Sequence, residues 1–351
     1  KKSGQITIFI IIGAIILISA FMIYYIKTRY AEPTIEEPVI KEVPKEVQPI
    51  SIFVDDCIKS TAIRGLRLLG EKGGYIDLND AELGITFKEI PDPTQSDIVA
   101  FSPGSSMKIP YWYYMKSNNN LQGRCEFSSL KPPVTKSDIR DKLPSSASVE
   151  AQLERYVNKN LPRCTAKFRN FEKLGFKIKA QKPSTKAIVT SDDVRFIVTY
   201  KLVIEKGDSV HELDMFYVKV PLELKRLFDL GAKIVNAQQN YSFLEKNVRA
   251  LLAIFGDKDD ARGIPPMTAT DFKFGGGTIW STENVKKNIK ILLNTWIRAL
   301  QVDTSSNLDP REVPKDAANA KVVQQIYNNM ILPIAGYENI AVYFDYLDWW
   351  E

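Results

Sequence analysis

The chain has 351 residues, of which 44% are hydrophobic and 11% aromatic, and this composition excludes disorder over most of its length. Of the formal net charge of +5, the first thirty residues supply +4, since they contain four of the 47 basic and none of the 42 acidic residues. The rest of the chain therefore has balanced charge and lacks the basic face that phosphate binding requires, so we expect no nucleic-acid partner.

The first predicted element is an apolar helix. Residues 6–26 form a run of 21 residues without one charged side chain, and Lys1 and Lys2 precede it. At about 1.5 Å of rise per residue, such a helix matches the ~30 Å hydrocarbon core of a bilayer. The sequence therefore predicts a transmembrane helix with basic flanks over residues 1–30. Its expected partners are the lipid bilayer or neighbouring hydrophobic helices.

The charges beside this helix do not determine its orientation. Lys1 and Lys2 lie on one side, and Lys27 and Arg29 lie on the other, so the positive-inside rule favours neither direction. A short N-terminal tail followed by a large C-terminal body normally places the body outside the cytoplasm. We therefore expect a single-pass protein of the cell membrane with an extracytoplasmic body.

A linker rich in proline and glutamate follows over residues 31–49, with four prolines and five glutamates. Proline cannot continue a helix and favours the polyproline II conformation. The segment therefore predicts an extended stalk that would hold the body ~50–60 Å from the membrane, at ~3.1 Å per residue. A disordered linker of no fixed length would have the same composition. The two interpretations differ only in the distance they place between the body and the membrane.

Two helices in the body each carry a cysteine. Apolar residues recur at helical spacing around Cys57 over about residues 50–69, and around Cys164 in a helix that begins at the N-cap Ser148. Both thiols are therefore predicted to lie on buried faces. They can form a disulfide, which an oxidising exterior would favour, or remain two buried thiols. The disulfide would leave Cys125 free.

The clearest strand signal is an antiparallel hairpin. Residues 194–204 alternate between apolar and polar side chains, the chain turns at residues 206–208, and a second strand returns over residues 210–220. Residues 176–180 and 187–190 are predicted to extend this sheet. Shorter strands are predicted at residues 75–78, 85–89 and 98–101.

Helices dominate the last third of the chain. Pro221 is predicted to begin an amphipathic helix, and Ser242 with Glu245 is typical of a capping box that begins the next. A strong helix is predicted over residues 283–300 and a weaker one over residues 317–332. A final strand is predicted over residues 340–347.

These elements predict an α+β fold with an antiparallel sheet packed against amphipathic helices. Behind the transmembrane helix and the stalk, the body divides into three parts. Residues 50–145 form a first α+β part, residues 146–256 hold a helix, the hairpin and further helices, and residues 257–351 form a helical part with a C-terminal strand.

No set of residues predicts a catalytic centre, a cofactor site or a metal site. The one histidine, His211, has no serine or cysteine partner that would form a triad, and the chain has no CxxC pair. Asp55 and Asp56 are adjacent, so on a helix they diverge by about 100° and predict a solvated face.

Three motifs have competing interpretations. The aromatic run at residues 111–114 is typical of a half-buried strand or of a surface that stacks on sugar rings. The glycines at 275–277 precede a helix but lack the Lys-Ser/Thr of a phosphate-binding loop, which favours a turn. Residues 257–260 resemble the first positions of a calcium-binding loop. The fifth and twelfth positions do not match an EF-hand, so at most a surface calcium contact is expected.

The N-terminal segment KKSGQITIF resembles the class III, type IV pilin-like signal segment of archaeal surface proteins. The resemblance implies cleavage by a prepilin peptidase between Gly4 and Gln5, and packing of the apolar helix in a filament core. Phe9 stands where pilins usually have glutamate, and Pro33 interrupts the long helix of a pilin. Residues 70–76 (GEKGGYI) make the body similar to uncharacterised single-pass membrane proteins of small-genome archaea, a resemblance that implies no function.

The sequence therefore predicts a membrane-anchored surface protein with a structural, adhesion or assembly role and no enzymatic activity. A protein partner or self-assembly is expected, and Asn240 begins a sequon that could be glycosylated outside the cytoplasm. The first alternative is a pilin-like subunit of an extracellular filament. The second is an anchored hydrolase whose acidic residues are scattered in the sequence.

Overall fold

The computed structural model describes residues 12–23, 42–90, 95–100, 104–105, 107–115, 127–138, 143–256, 263–267, 279–305 and 328–346. The chain divides into two units, Lys1–Glu42 and Val43–Glu351. In the first unit, residues 12–23 form a helix, α1, whose side chains are all exposed. Within the described residues, no helix combines the length and the apolar character needed to cross a membrane.

The second unit, which we call the body, contains six more α-helices and ten strands whose bounds lie within its described residues, and residues 328–330 are also helical. The helices are α2 (Gln48–Glu71), α3 (Val149–Thr165), α4 (Arg169–Glu172), α5 (Leu224–Tyr241), α6 (Phe243–Phe255) and α7 (Thr282–Trp296). The strands are β1 (Ile98–Ala100), β2 (Lys108–Pro110), β3 (Tyr114–Met115), β4 (Phe127–Ser128), β5 (Lys177–Ala180), β6 (Ser184–Val189), β7 (Val194–Lys206), β8 (Ser209–Val220), β9 (Gln301–Asp303) and β10 (Ile331–Pro333). The α+β class with an antiparallel sheet is confirmed.

The largest sheet is built on β7, which pairs with β8 along one edge and with β5 and β6 along the other, always antiparallel. Alternate residues of β7 face the core, which is why the sequence alternation predicted this hairpin correctly. The core-facing residues of β7 are all 2% exposed or less: Val194, Phe196, Val198, Tyr200, Leu202 and Ile204. The sheet extensions at β5 and β6 are also confirmed.

Helices α2 and α3 cover this face of the sheet and pack closely against each other. Gly65 on α2 makes the close approach possible, because a Cβ at this position would lie 2.8 Å from Cδ1 of Tyr156 on α3. Cys57 and Cys164 form a disulfide between the two helices, with their Cα atoms 5.7 Å apart. The structure thus contains the first of the two arrangements that the sequence left open.

Helix α3 also covers the outer edge of β6. The carboxylates of Glu150 and Glu154, one helical turn apart, accept hydrogen bonds from the backbone N–H groups of Val189 at 3.0 Å and Ala187 at 3.1 Å. Burial raises the pKa of Glu150, and the hydrogen bonds from the backbone N–H groups of Val189 and Lys136 oppose the shift. Because the Ala187 and Val189 N–H groups are occupied, they cannot pair with another strand at this edge.

The last described elements build a second apolar core around α5, α6 and α7. Strands β9 and β10 pair in parallel beside it. Its buried members are Leu230, Phe243, Ile297, Leu300, Met330, Leu332, Ile334 and Tyr337.

Several predicted elements at the two ends of the body were wrong. Residues 75–78 form turns, and residues 85–89 are extended without a strand ladder, since an apolar segment becomes a strand only where a partner strand is available. Of the weaker helix predicted over residues 317–332, residues 328–330 are helical, residues 331–332 belong to β10, and the rest lies outside the described residues. The described part of the predicted final strand, residues 340–346, is irregular, and its alternation instead reflects side chains that pack on the second core.

Two predicted boundaries also differ. The predicted capping box was wrong. Ser242 has a left-handed backbone (φ 49°), and its side chain makes no capping hydrogen bond. The side chain of Gln238 instead accepts a hydrogen bond from the Leu244 N–H at 2.9 Å. Residues 43–49, assigned to the stalk by their prolines, belong to the body. Val47 is fully buried, and Val43 packs against the core.

A buried carboxylate stabilises the turn between β6 and β7. Asp193, 2% exposed, accepts from Arg195 Nε at 2.8 Å and Thr190 Oγ1 at 2.9 Å, and pairs with Lys219 Nζ at 2.9 Å. Burial by itself would raise its pKa, but these charged and hydroxyl donors outweigh burial and lower the pKa to about 2.

Replacing this carboxylate should destabilise the protein in a pH-dependent way. Because the folded pKa lies below the ordinary 3.8, the stabilisation is complete above about pH 4 and is lost as the pH falls through 2. Asp193→Asn should lower the free energy of unfolding by about 2 kcal/mol at pH 7 and by much less near pH 2. Urea titrations at both pH values measure this, with the exposed Asp192→Asn as control. A constant loss at both pH values would refute the electrostatic explanation.

Candidate functional site

The C-terminal end of α2 is a tight glycine turn that carries the candidate site. Gly73 (φ 62°) and Gly74 (φ 94°) both adopt left-handed backbone conformations. A Cβ on Gly73 would lie 2.9 Å from Ile109, and one on Gly74 would lie 2.8 Å from Pro132. The two glycines therefore serve both the turn and the close packing around it.

A buried glutamine from α3 holds this turn in place. The side chain of Gln152, 3% exposed, accepts from the Ile76 N–H at 3.0 Å and donates to the carbonyls of Gly74 at 3.2 Å and Ala147 at 2.9 Å. The hydroxyl of Tyr75 donates to the Leu130 carbonyl at 2.5 Å. The segment that follows α2 is thus fixed by long-range polar contacts, not by a strand ladder.

Beyond this turn lies a cleft of about 340 Å³. Its floor is a small apolar cluster in which Tyr75 and Phe87 meet edge to face, with ring centroids 5.1 Å apart. Charged and polar side chains form its walls. The lining residues are Lys72, Asp77, Leu78, Asn79, Asp80, Ala81, Ile85, Thr86, Phe87, Glu89, Ile98 and Lys108.

Most charges of the cleft are already engaged in the described structure. Asp80 accepts from Arg155 Nε at 2.8 Å, and Glu89 pairs with Lys108. Lys72 Nζ donates to the Ile76 carbonyl at 3.1 Å, which leaves two of its N–H donors for a ligand. Asp77 accepts one backbone hydrogen bond, from the Asn79 N–H at 3.0 Å. The cleft therefore combines paired charges with apolar side chains, and a ligand could contact both.

The aromatic run at residues 111–114 packs beneath the glycine turn that borders the cleft. Trp112 Nε1 donates to the Gly73 carbonyl at 2.8 Å, and its ring contacts Phe228 on α5, with centroids 4.9 Å apart. Burial, with a hydrogen bond and charge from Asp97, raises the pKa of the Tyr114 phenol. These side chains join α2 to α5, in accord with the half-buried interpretation.

Asp55 differs from the predicted solvated face. Asp56 is exposed, but Asp55 is half-buried on α2 and makes no hydrogen bond or ion pair within the described residues. Burial, with a smaller contribution from the Asp56 charge, raises its pKa from 3.8 to about 6. The ionised form therefore costs stability at neutral pH.

Asp55→Asn should stabilise the protein at neutral pH. Because the folded pKa lies above the unfolded one, the stability of the parent protein falls as the pH rises from about 4 to 6. The variant should gain up to about 3 kcal/mol at pH 7 and almost nothing at pH 4. Denaturant titrations at both pH values test this. Asp56→Asn should gain less, and an equal gain from both variants would contradict the burial argument.

The remaining predicted residues lie apart from the cleft. His211 Nε2 lies 3.3 Å from Glu46 Oε2 on the surface, and Asn240 is exposed in the last turn of α5, not at a helix N-terminus. Gly4, Gln5, Cys125, residues 257–260 and residues 275–277 lie outside the described residues. A cleft of about 470 Å³ lies beside Lys246 and Arg249 on α6 and is also lined by Pro266 and Met267.

Sequence reasoning missed the cleft and its glutamine. As sequence, the Gly73–Gly74 pair predicts the end of the Cys57 helix, and two adjacent glycines also signal a close backbone approach. Within the described residues, no group of three or more histidine, cysteine, aspartate or glutamate side chains could hold a metal ion. Comparisons with protein-family models, curated proteins and solved structures gave no match.

Proposed function

We propose that the protein is a membrane-anchored surface protein that presents a binding domain outside the cytoplasm, with no enzymatic role. The observation that carries the proposal is the apolar helix α1. Its side chains are exposed on every face, including Ile15 at 57%, Leu17 at 73% and Phe21 at 70%. Such a helix needs a lipid or protein environment, and the uncharged run of residues 6–26 has the length of a membrane span.

The disulfide supports an extracytoplasmic body. Disulfides persist in oxidising compartments and are rare in the cytosol of most organisms. Cys57, 2% exposed, lies on the buried face of α2 with its bond to Cys164, so the bond is part of the core. A protein that depends on this bond for stability suits the cell surface.

The position of the cleft supports a binding role. Helix α2 has 24 residues and is therefore about 36 Å long. The chain enters the body beside its N-terminus, and the cleft lies beyond its C-terminus. A ligand could thus reach the cleft at the opposite end of α2 from the point where the chain enters the body.

Protease treatment of intact cells tests the orientation. Added protease should remove the body while a cytoplasmic marker survives, and alkaline washing should leave the parent protein in the membrane fraction. The matched variant Ile16→Arg/Leu17→Arg puts two charges at the centre of the run, each unfavourable by about 3 kcal/mol, and should leave the membrane fraction. A body that stays protected in intact cells would disprove the proposal.

A second candidate is a pilin-like filament subunit, favoured by the resemblance of the segment around Gly4 and Gln5. The same exposed faces of α1 would then pack against neighbouring helices. Terminal sequencing of the protein isolated from its own membranes separates the two functions. A mature N-terminus at Gln5 with visible filaments supports the subunit, whereas a retained Lys1 with dispersed particles supports the anchor.

A further inference from the structure

One end of the body combines exposed aliphatic side chains with the point where the chain enters from the anchor. We call it the tether end: the first turns of α2, residues 171–176, and the hairpin tip at residues 206–210. Phe53 of α2 contacts Phe171, with ring centroids 5.5 Å apart, and Lys206 lies 4.4 Å from the ring centre of Phe176. These contacts bring the three segments together.

Glu46 ties the incoming chain to this end. Its carboxylate lies 3.7 Å from Lys206 Nζ and 3.3 Å from His211 Nε2, both next to the hairpin tip. Val47, which follows, is fully buried. The chain is therefore held against the hairpin tip as it enters the body.

Three large aliphatic side chains remain exposed at the tether end. Leu174 is 66% exposed, Val210 63% and Ile52 53%. Gly175 (φ 86°) allows the tight turn that presents Leu174. Across the sheet, Lys177 pairs with Glu205 and Glu205 with Val210, so these residues form one row near the hairpin tip.

The charges around these side chains balance. Five exposed lysines surround the tether end: Lys45, Lys173, Lys177, Lys179 and Lys206. Five carboxylates of the body offset them: Glu46, Asp56, Glu172, Glu205 and Asp208. Lys179 pairs with Glu205 at 2.9 Å. Attraction to anionic lipid is therefore not the driving force, and lysine stems can instead extend along an apolar boundary with their ammonium groups in water.

We propose that the tether end rests on the bilayer that holds the anchor, with Leu174 and Val210 inserted at the headgroup boundary. This inference rests on the proposed membrane anchoring. Residues 27–42 join the uncharged run to the body, and with the second of the two linker interpretations, a linker of no fixed length, the tether end can reach the surface at high effective concentration. A weak apolar contact is then sufficient.

Depth-dependent quenching on the full chain tests this proposal. In a Cys125→Ser background, a fluorophore is attached to Leu174→Cys, Val210→Cys or Leu227→Cys, and each protein is reconstituted in phosphatidylcholine vesicles with nitroxide lipid. Leu227 is the control, since it is 43% exposed on α5 beside Phe228, which contacts Trp112 at the far end of α2. Quenching at 174 and 210 should exceed that at 227 by about twofold or more, and salt should not change it.

A second variant separates insertion from mere proximity. Adding Leu174→Ser to the label at 210 should reduce its quenching towards the value at 227, while Met215→Ser in mid-β8 should not. Equal quenching at all three labels in vesicles that retain the protein after alkaline washing would overturn the proposal and leave the anchoring intact. If the label at 174 were shielded from water but not quenched by nitroxide lipid, a protein partner would cover it. That result would also overturn the proposal. Loss of the protein from the vesicles would refute the anchoring itself.

Discussion

Removing the disulfide should lower the free energy of unfolding by about 3–5 kcal/mol, because the cross-link closes a loop of more than a hundred residues in the unfolded chain. Cys57 and Cys164 are 107 positions apart, and their bond joins the two helices that cover the main sheet. The variant Cys57→Ala/Cys164→Ala loses this constraint while it keeps small apolar side chains in the core.

Urea denaturation measures the loss, and a reductant supplies the matched control. Reducing the parent protein should bring its midpoint close to that of the variant, and reductant should leave the variant unchanged. If the parent kept its midpoint after mass spectrometry had shown complete reduction, the bond would contribute no stability. The compartment argument under the proposed function would then lose its physical basis.

Gln152→Leu should be the most damaging single change near the cleft, at about 3–5 kcal/mol. The substitution keeps the approximate volume but leaves the Ile76 N–H and the Gly74 and Ala147 carbonyls without the partner that the structure gives them. Each buried polar group left without a hydrogen bond costs about 1–3 kcal/mol. The effect should concentrate in the turn that shapes the cleft.

Hydrogen exchange should locate this damage. The amide of Ile76 should exchange faster in Gln152→Leu, while amides in the middle of β7 should keep their protection relative to global unfolding. The control is Gln239→Leu on the exposed face of α5, where a surface substitution should change stability by about 0.5 kcal/mol or less. Unchanged exchange at Ile76 would show that Gln152 does not hold the turn.

Patterns with a fixed local period predicted the elements around the main core. The alternation of residues 194–204 predicted β7, because every second side chain of a strand faces the same side. The helical spacing around Cys57 and Cys164 predicted α2, α3 and their buried faces. These predictions succeeded where one face of an element is buried along its whole length. Apolar residues then recur in the sequence with the period of the helix or strand.

Prediction failed where a distant partner decides the structure. The apolar residues at 75–78 resembled a strand, but Gln152, 76 positions beyond Ile76, holds them in a turn. Ser242 and Glu245 have the spacing of a capping box, yet the Gln238 side chain bonds the Leu244 N–H that begins α6. The same spacing can therefore support two local structures, and only the neighbouring contacts choose between them.

The sequence by itself determined an uncharged run long enough for a membrane span, an antiparallel hairpin and two cysteine-bearing helices with apolar faces. Each depends on the polarity of residues close together in the chain, because apolar side chains favour burial away from water wherever they occur. The tertiary structure alone decided the burial of Asp55, the cleft behind the Gly73–Gly74 turn and the grouping of Leu174 and Val210 beside Glu46. These features arise from segments that are far apart in sequence, and their free energies depend on packing and desolvation at the contacts between them.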